Sequence, residues 1–224
     1  MFTAPSTTVY PIPHAPWVLR GSALVVIGTI PRRNALQLAA NTGGKLNRLW
    51  AGWPTVLAFV NYTSTPVGAY HECVVSPGIL WRQLPGMLVS HMPVDSERSR
   101  QGGRALWSLP KVMQQFQWNT TAATAEVTLM DEHSTSQIAL RSKLGGKLPL
   151  LPIPVVPCMS MRGPRCQIFA LTGMLNDVKR ARITALEIPH DSIYAPLQPL
   201  LRRPHLALYI QTFWLRISQS FDVM

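Results

Sequence analysis

Two ionisable residues stand where charge is costly. Glu72 lies in the run Tyr70-His71-Glu72-Cys73-Val74-Val75, at the head of a segment with strand composition. Alternation along a strand puts Tyr70, Glu72 and Val74 on one face, and His71, Cys73 and Val75 on the other. A carboxylate that shares a face with Tyr and Val lines a cavity, or it sits at an open strand end paired with one of the sixteen arginines. Lys111 is the second. Its neighbours, Ala105 to Pro110 and Val112-Met113, are almost wholly apolar, whereas Lys45, Lys143 and Lys147 lie beside Gly or Ser and Lys179 among other bases. Desolvation disfavours a charged amine, and the uncharged amine is the nucleophile that condenses with a ketone to give a Schiff base. The alternative is an aliphatic stem laid over Trp107 with its charged head in water.

Other chemistries lack their residues. There is no GxSxG elbow and no GxxxxGK[ST] loop, and no GxGxxG follows a strand. The six histidines (His14, His71, His91, His133, His190, His205) have no HxxxH or HExxH spacing, so no metal is expected. Cys73, Cys158 and Cys166 form no CxxC and read as reduced thiols in a cytoplasmic compartment. Trp50, Trp53, Trp107 and Trp118 read as core or cavity lining, not as base-stacking platforms.

The elements that must position these groups read mainly as strands. Runs 23–30, 55–62, 70–75, 86–92, 123–130, 136–140, 167–173 and 207–217 are β-branched or alternating and bounded by Gly, Pro or Asn. Helical composition is confined to 34–41 and 96–102, with a turn or two over 191–201, where Pro196 and Pro199 intervene. Twenty prolines in 224 residues argue against a helical bundle. The pattern predicts a mainly β protein, an antiparallel barrel or sandwich with a few short helices, as a single domain over 1–224. The Pro-rich stretch 148–157 could mark a boundary but is too apolar for a solvated linker.

The formal net charge is +11, yet the arginines fall in pairs such as Arg32-Arg33 and Arg202-Arg203 and in short clusters such as Arg98, Arg100 and Arg104. That distribution suits small anions, with no nucleic-acid partner expected. The charge-free run 49–70 contains Pro54, Asn61, Thr63, Ser64, Thr65 and Pro66, so it is not expected to span a membrane. No basic start followed by an apolar stretch opens the chain, so no secretory signal is expected.

Four stretches resemble the acetoacetate decarboxylase-like superfamily. They are APWVLRGSALVV (15–26), TPVGAYHECVV (65–75), VDSERSRQGGRALWSLPK (94–111) and LLRRPHLALYIQTFWLRI (200–217). Gly103-Arg104, Trp107 and Pro110-Lys111 form the most specific piece. The resemblance implies a β-barrel or cone, often oligomeric, in which Lys111 forms an imine with a keto acid and Glu72 lines the pocket. It places Arg20 near an arginine used by some members at the cavity entrance. Tyr70, on the face of Glu72, and Trp107 join Arg20 as expected substrate-binding residues, and no metal or organic cofactor is then needed. Three positions depart from the family: Val112 replaces a second lysine, Ala105 a frequent Glu, and Ser108 a frequent Gly. Decarboxylation of a β-keto acid is the leading expectation. An aldolase or dehydratase acting on a pyruvate-like 2-oxo acid is the second, and a non-catalytic barrel holding an apolar or isoprenoid-like ligand is the third.

Overall fold

The computed structural model describes residues 9–43, 46–149, 151–162 and 165–223. The first half of the chain forms β1 (Trp17–Gly28), α1 (Arg32–Ala40), β2 (Leu49–Ser64), β3 (Tyr70–Trp81), β4 (Pro85–Val89), β5 (Met92–Val94) and α2 (Glu97–Trp107). After it come β6 (Lys111–Met113), β7 (Gln115–Thr120), β8 (Thr124–Met130), β9 (Ser136–Lys147), β10 (Leu151–Arg162) and β11 (Arg165–Glu187). A 3-10 turn (Ala195–Leu197), α3 (Gln198–Arg202), β12 (Leu206–Ile217) and β13 (Phe221–Val223) complete the described chain.

Seven strands close a barrel in the order β10-β4-β3-β2-β1-β12-β11, with β11 returning to β10. All of these pairs are antiparallel except β4–β10. β11 is 23 residues long, and its second half leaves the barrel to pair with β9, carrying the sheet on through β8 to β7. The barrel thus has two apolar faces to fill. On β1, Ala23, Val25 and Ile27 point into the barrel. Leu24 and Val26 point outward into a second core with Leu57, Phe59, Leu200 and Leu201. A strand buried on both faces needs a continuous apolar run, and residues 23–27 supply one.

The Pro-rich stretch is not a boundary. Most of it belongs to β10, a wall of the barrel. Proline removes a ladder donor and is tolerated where a strand lacks a second neighbour. β10 meets β4 only at Cys158, Met159 and Ser160, so Pro152, Pro154 and Pro157 precede that contact, and its register with β11 shifts between Ile153 and Val156. The polar helix expected at 96–102 runs on to Trp107, and β6 and β7 are strands that the sequence reading does not contain.

Candidate active site

Two short pairings bring Lys111 to Glu72. Val94 of β5 pairs with Glu72 of β3, and Met92 of β5 pairs with Lys111 of β6. α2 lies between β5 and β6 in sequence. Ser96 caps its start by accepting from the Ser99 backbone N–H, and Glu97 in the first turn complements the helix dipole. Its end turns back through Ser108, which is left-handed at φ 51°, and the Leu109 N–H then donates to the Gly103 carbonyl at 3.2 Å. The reversal lays the Lys111 side chain along the helix. Gly103 makes room for it, since a Cβ there would lie 2.5 Å from Lys111 Cε, and one at Gly102 would lie 2.6 Å from the Trp17 ring.

Lys111 Nζ donates to Glu72 Oε2 at 2.6 Å and to Ser99 Oγ at 2.7 Å. The Tyr62 hydroxyl donates to the other carboxylate oxygen, Oε1, at 3.0 Å. The Tyr70 ring faces Nζ at 5.2 Å, within cation–π range. Glu72 and Lys111 are each 3 % exposed. A solvated carboxylate paired with an arginine, and a lysine whose head reaches water, are both overturned by that burial. Burial of both partners with several hydrogen bonds gives the amine an acceptor for its proton within an apolar wall.

Around the pair is a cavity of about 310 Å³, bounded by β1, β2, β3, β10, β11 and β12. Among its described lining residues, Glu72 and Lys111 carry the only charges. Trp107 is buried in its wall, edge-on to Trp17 at 5.0 Å, and its indole N–H donates to the Ser218 carbonyl at 2.7 Å. The ring therefore offers the cavity an apolar surface. Tyr70 lines the cavity too. Arg20 does not: alternation from the inward Trp17 turns it outward, and it is exposed between Ser64 and Trp214. The three departures from the family lie off the cavity lining as well. Ala105 and Val112 are exposed, and Ser108 sits in the turn.

Sequence reasoning missed Ser99 and Tyr62. Tyr62 was accessible in principle, because alternation from Ala58 and Val60 carries it onto the inner face of β2, opposite Tyr70. Nothing local marks Ser99, whose role appears only once α2 packs against β6.

Burial, and next the charge of Glu72, raises both Tyr62 and Tyr70 well above the ordinary phenol value, so each remains a protonated donor. Burial pushes the Cys158 thiol, in the cavity wall, up to about 12. Cys73, raised by burial and then by Glu72, faces the opposite side of β3. All three cysteines are free. His71 hydrogen-bonds Asp95 at 2.7 Å near the surface and does not engage Cys73. Among the described residues, no group of three or more His, Cys, Asp or Glu side chains is placed to hold a metal, and no helix is long and apolar enough to cross a membrane.

Residues 49–152 match the acetoacetate decarboxylase (ADC) family model. No curated protein matches the chain in sequence. Three similar solved structures carry the comparison further. The acetoacetate decarboxylase of Legionella pneumophila superimposes with a TM-score of 0.69 at 16 % identity, covering 100 % of this chain and 93 % of that one. An acetoacetate decarboxylase-like enzyme from Sphingomonas wittichii gives 0.67 at 12 % identity, over 100 % and 98 %. The enduracididine biosynthesis enzyme MppR complexed with pyruvate gives 0.60 at 12 % identity, over 97 % and 93 %. At these identities the likeness concerns the fold.

Proposed function

We propose that this chain, whose residues 49–152 match the acetoacetate decarboxylase (ADC) family model, is acetoacetate decarboxylase-like, that Lys111 forms a Schiff base with a β-keto acid and that the adduct releases carbon dioxide. The observation that supports it is the Lys111–Glu72 contact of 2.6 Å inside an otherwise apolar cavity. Glu72 takes a proton from the amine, and the lone pair on Nζ attacks the carbonyl carbon. Loss of water from the adduct leaves a protonated imine. The bond to the carboxylate then breaks, and its electron pair moves through the new double bond to neutralise the imine nitrogen. Carbon dioxide departs, the enamine carbon takes up a proton, and hydrolysis frees the ketone and Lys111. Glu72, held by Tyr62, is positioned to shuttle the protons.

An apolar cavity favours this reading over chemistry that keeps the carboxylate. A 2-oxo acid in an aldol or dehydration reaction stays anionic throughout, and besides Lys111 no cation faces the described cavity lining. A β-keto acid loses its charge as it reacts, so the dry wall disfavours its ground state more than its transition state. The reading includes a reducing cytoplasmic setting, consistent with three free thiols. It also includes assembly of several copies, for which the exposed Trp50, Trp53 and Trp81 leave apolar surface.

Carbon dioxide release tests the proposal. Acetoacetate and a longer β-keto acid are offered to the protein and to Lys111→Ala. Release by the first that is absent from the second is the expected result; equal release by both would contradict it.

A further inference from the structure

The cavity extends well beyond the reacting amine. Inward positions descend the barrel in ordered rungs: Glu72 opposite Val60, next Val74 opposite Ala58, last Ser76 opposite Val56. β1 adds Ala23, Val25 and Ile27 to the same three rungs. Four residues of strand, from Glu72 to Ser76, span roughly 13 Å. The Ser76 hydroxyl, at the far rung, already donates to the Gly78 carbonyl at 3.3 Å. The other polar atoms described above are engaged at the lysine end: Tyr62 with Glu72, and the Trp107 N–H with Ser218. A cavity of about 310 Å³ holds on the order of ten or more non-hydrogen atoms.

Resting on the imine reading, we infer that the substrate is an amphiphile: a ketone or β-keto acid whose carbonyl end reaches Lys111 and whose unbranched apolar tail runs down the barrel past Val74 and Ala58. Two physical terms select it. Each methylene added to a tail that replaces water in the cavity tightens binding about three- to fourfold. A charge at the far end of the tail would meet no cation, only apolar side chains, the engaged Ser76 hydroxyl and the Cys158 thiol, which donates to the Val156 carbonyl at 3.7 Å, and an unpaired buried charge is strongly disfavoured. The site therefore reads length along the tail and rejects a second charge at its end.

Borohydride trapping with a graded set of methyl ketones, from acetone to decan-2-one, separates this inference from the one beneath it. Adduct on the intact protein is measured by mass against ketone concentration, and its position by peptide mapping. The expected result is an adduct on Lys111 whose half-saturating concentration falls about three- to fourfold per methylene before levelling off. A ketone of decanone length with a terminal carboxylate should trap at least about a hundredfold more weakly. Ala58→Phe, which fills the middle rung, should lower the ratio of decanone to acetone trapping by about a hundredfold. If that variant does not fold, the two ketone comparisons on the unaltered protein still decide. Equal half-saturation along the series, with adducts on Lys111, would overturn the tail and leave the imine standing. No adduct from any ketone would overturn the imine reading and the tail with it.

Discussion

At the scale of residues, the site rests on a charged pair that neither partner can leave without cost. Removing one member of a buried pair strands the other, which destabilises by roughly 3–5 kcal/mol, while replacing both with neutral groups restores much of the loss. Chemical denaturation of Glu72→Gln, Lys111→Met and the double variant should show that pattern, with the double variant more stable than the sum of the singles predicts. Additive losses would mean the two side chains do not interact. Glu72→Gln should also lower kcat about 10²- to 10⁴-fold, more than it alters KM, because the shuttle acts on the reacting atoms. Gly103→Ala probes positioning without touching charge. Alanine is the better helix former by about 1 kcal/mol, yet its Cβ would fall 2.5 Å from Lys111 Cε. Imine formation should fall sharply, with a stability loss no larger than that of Lys111→Met, and normal trapping by this variant would show that the lysine does not need its berth. Glu72 and Lys111 were legible because a charge within an apolar run is conspicuous. Whether Arg20 reaches the lining was not legible, because a family match fixes which strand a residue belongs to more firmly than which face it takes.

At the scale of elements, strand identity was legible and strand extent was not. Residues 23–30 and 55–62 announce β1 and β2 by β-branched composition, yet β2 begins at Leu49 because Leu49, Trp50 and Ala51 pair with Leu80, Ile79 and Gly78 of β3 beyond a register shift between Ala51 and Val56. β10 was hidden by its prolines, which only the half-open edge of the strand explains. β5 and β6 are three residues each, too short for periodicity to mark, although they join the lysine to the carboxylate. The joint between β4 and β5 carries a pH dependence of its own. His91 there is buried against Tyr194 and contacts Asn41 at 2.9 Å and Ser90 at 3.0 Å. Burial lowers its pKa from 6.5 to about 4. The unfolded chain thus binds the proton more readily, and this share of stability is complete above pH ~6.5 and is lost as pH falls towards 4. The loss amounts to about 3 kcal/mol. Denaturation midpoints of the protein and of His91→Gln across that window should converge at the acid end; parallel curves would mean the imidazole does not titrate there.

At the scale of the whole molecule, the barrel separates its two apolar faces by function. Outward side chains of β1 and β2 pack beneath α1, α3 and the β8–β9 sheet, and inward ones leave a cavity with a single charged pair at one end. Composition foretold the β class, since frequent proline and short alternating runs leave few other ways to bury 47 % hydrophobic residues. Closure could not be foretold, because it depends on β10 meeting β4 in parallel across a long sequence separation, through only three residue pairs. One covalent event within that cavity underlies the proposed chemistry. Intact-mass analysis after borohydride reduction in the presence of a β-keto acid, with peptide mapping of the product, observes that event directly. The predicted result is a single adduct on Lys111 with the mass of the ketone left after carbon dioxide has gone. An adduct that keeps its carboxylate, or a protein left unmodified while the β-keto acid is consumed, would contradict it.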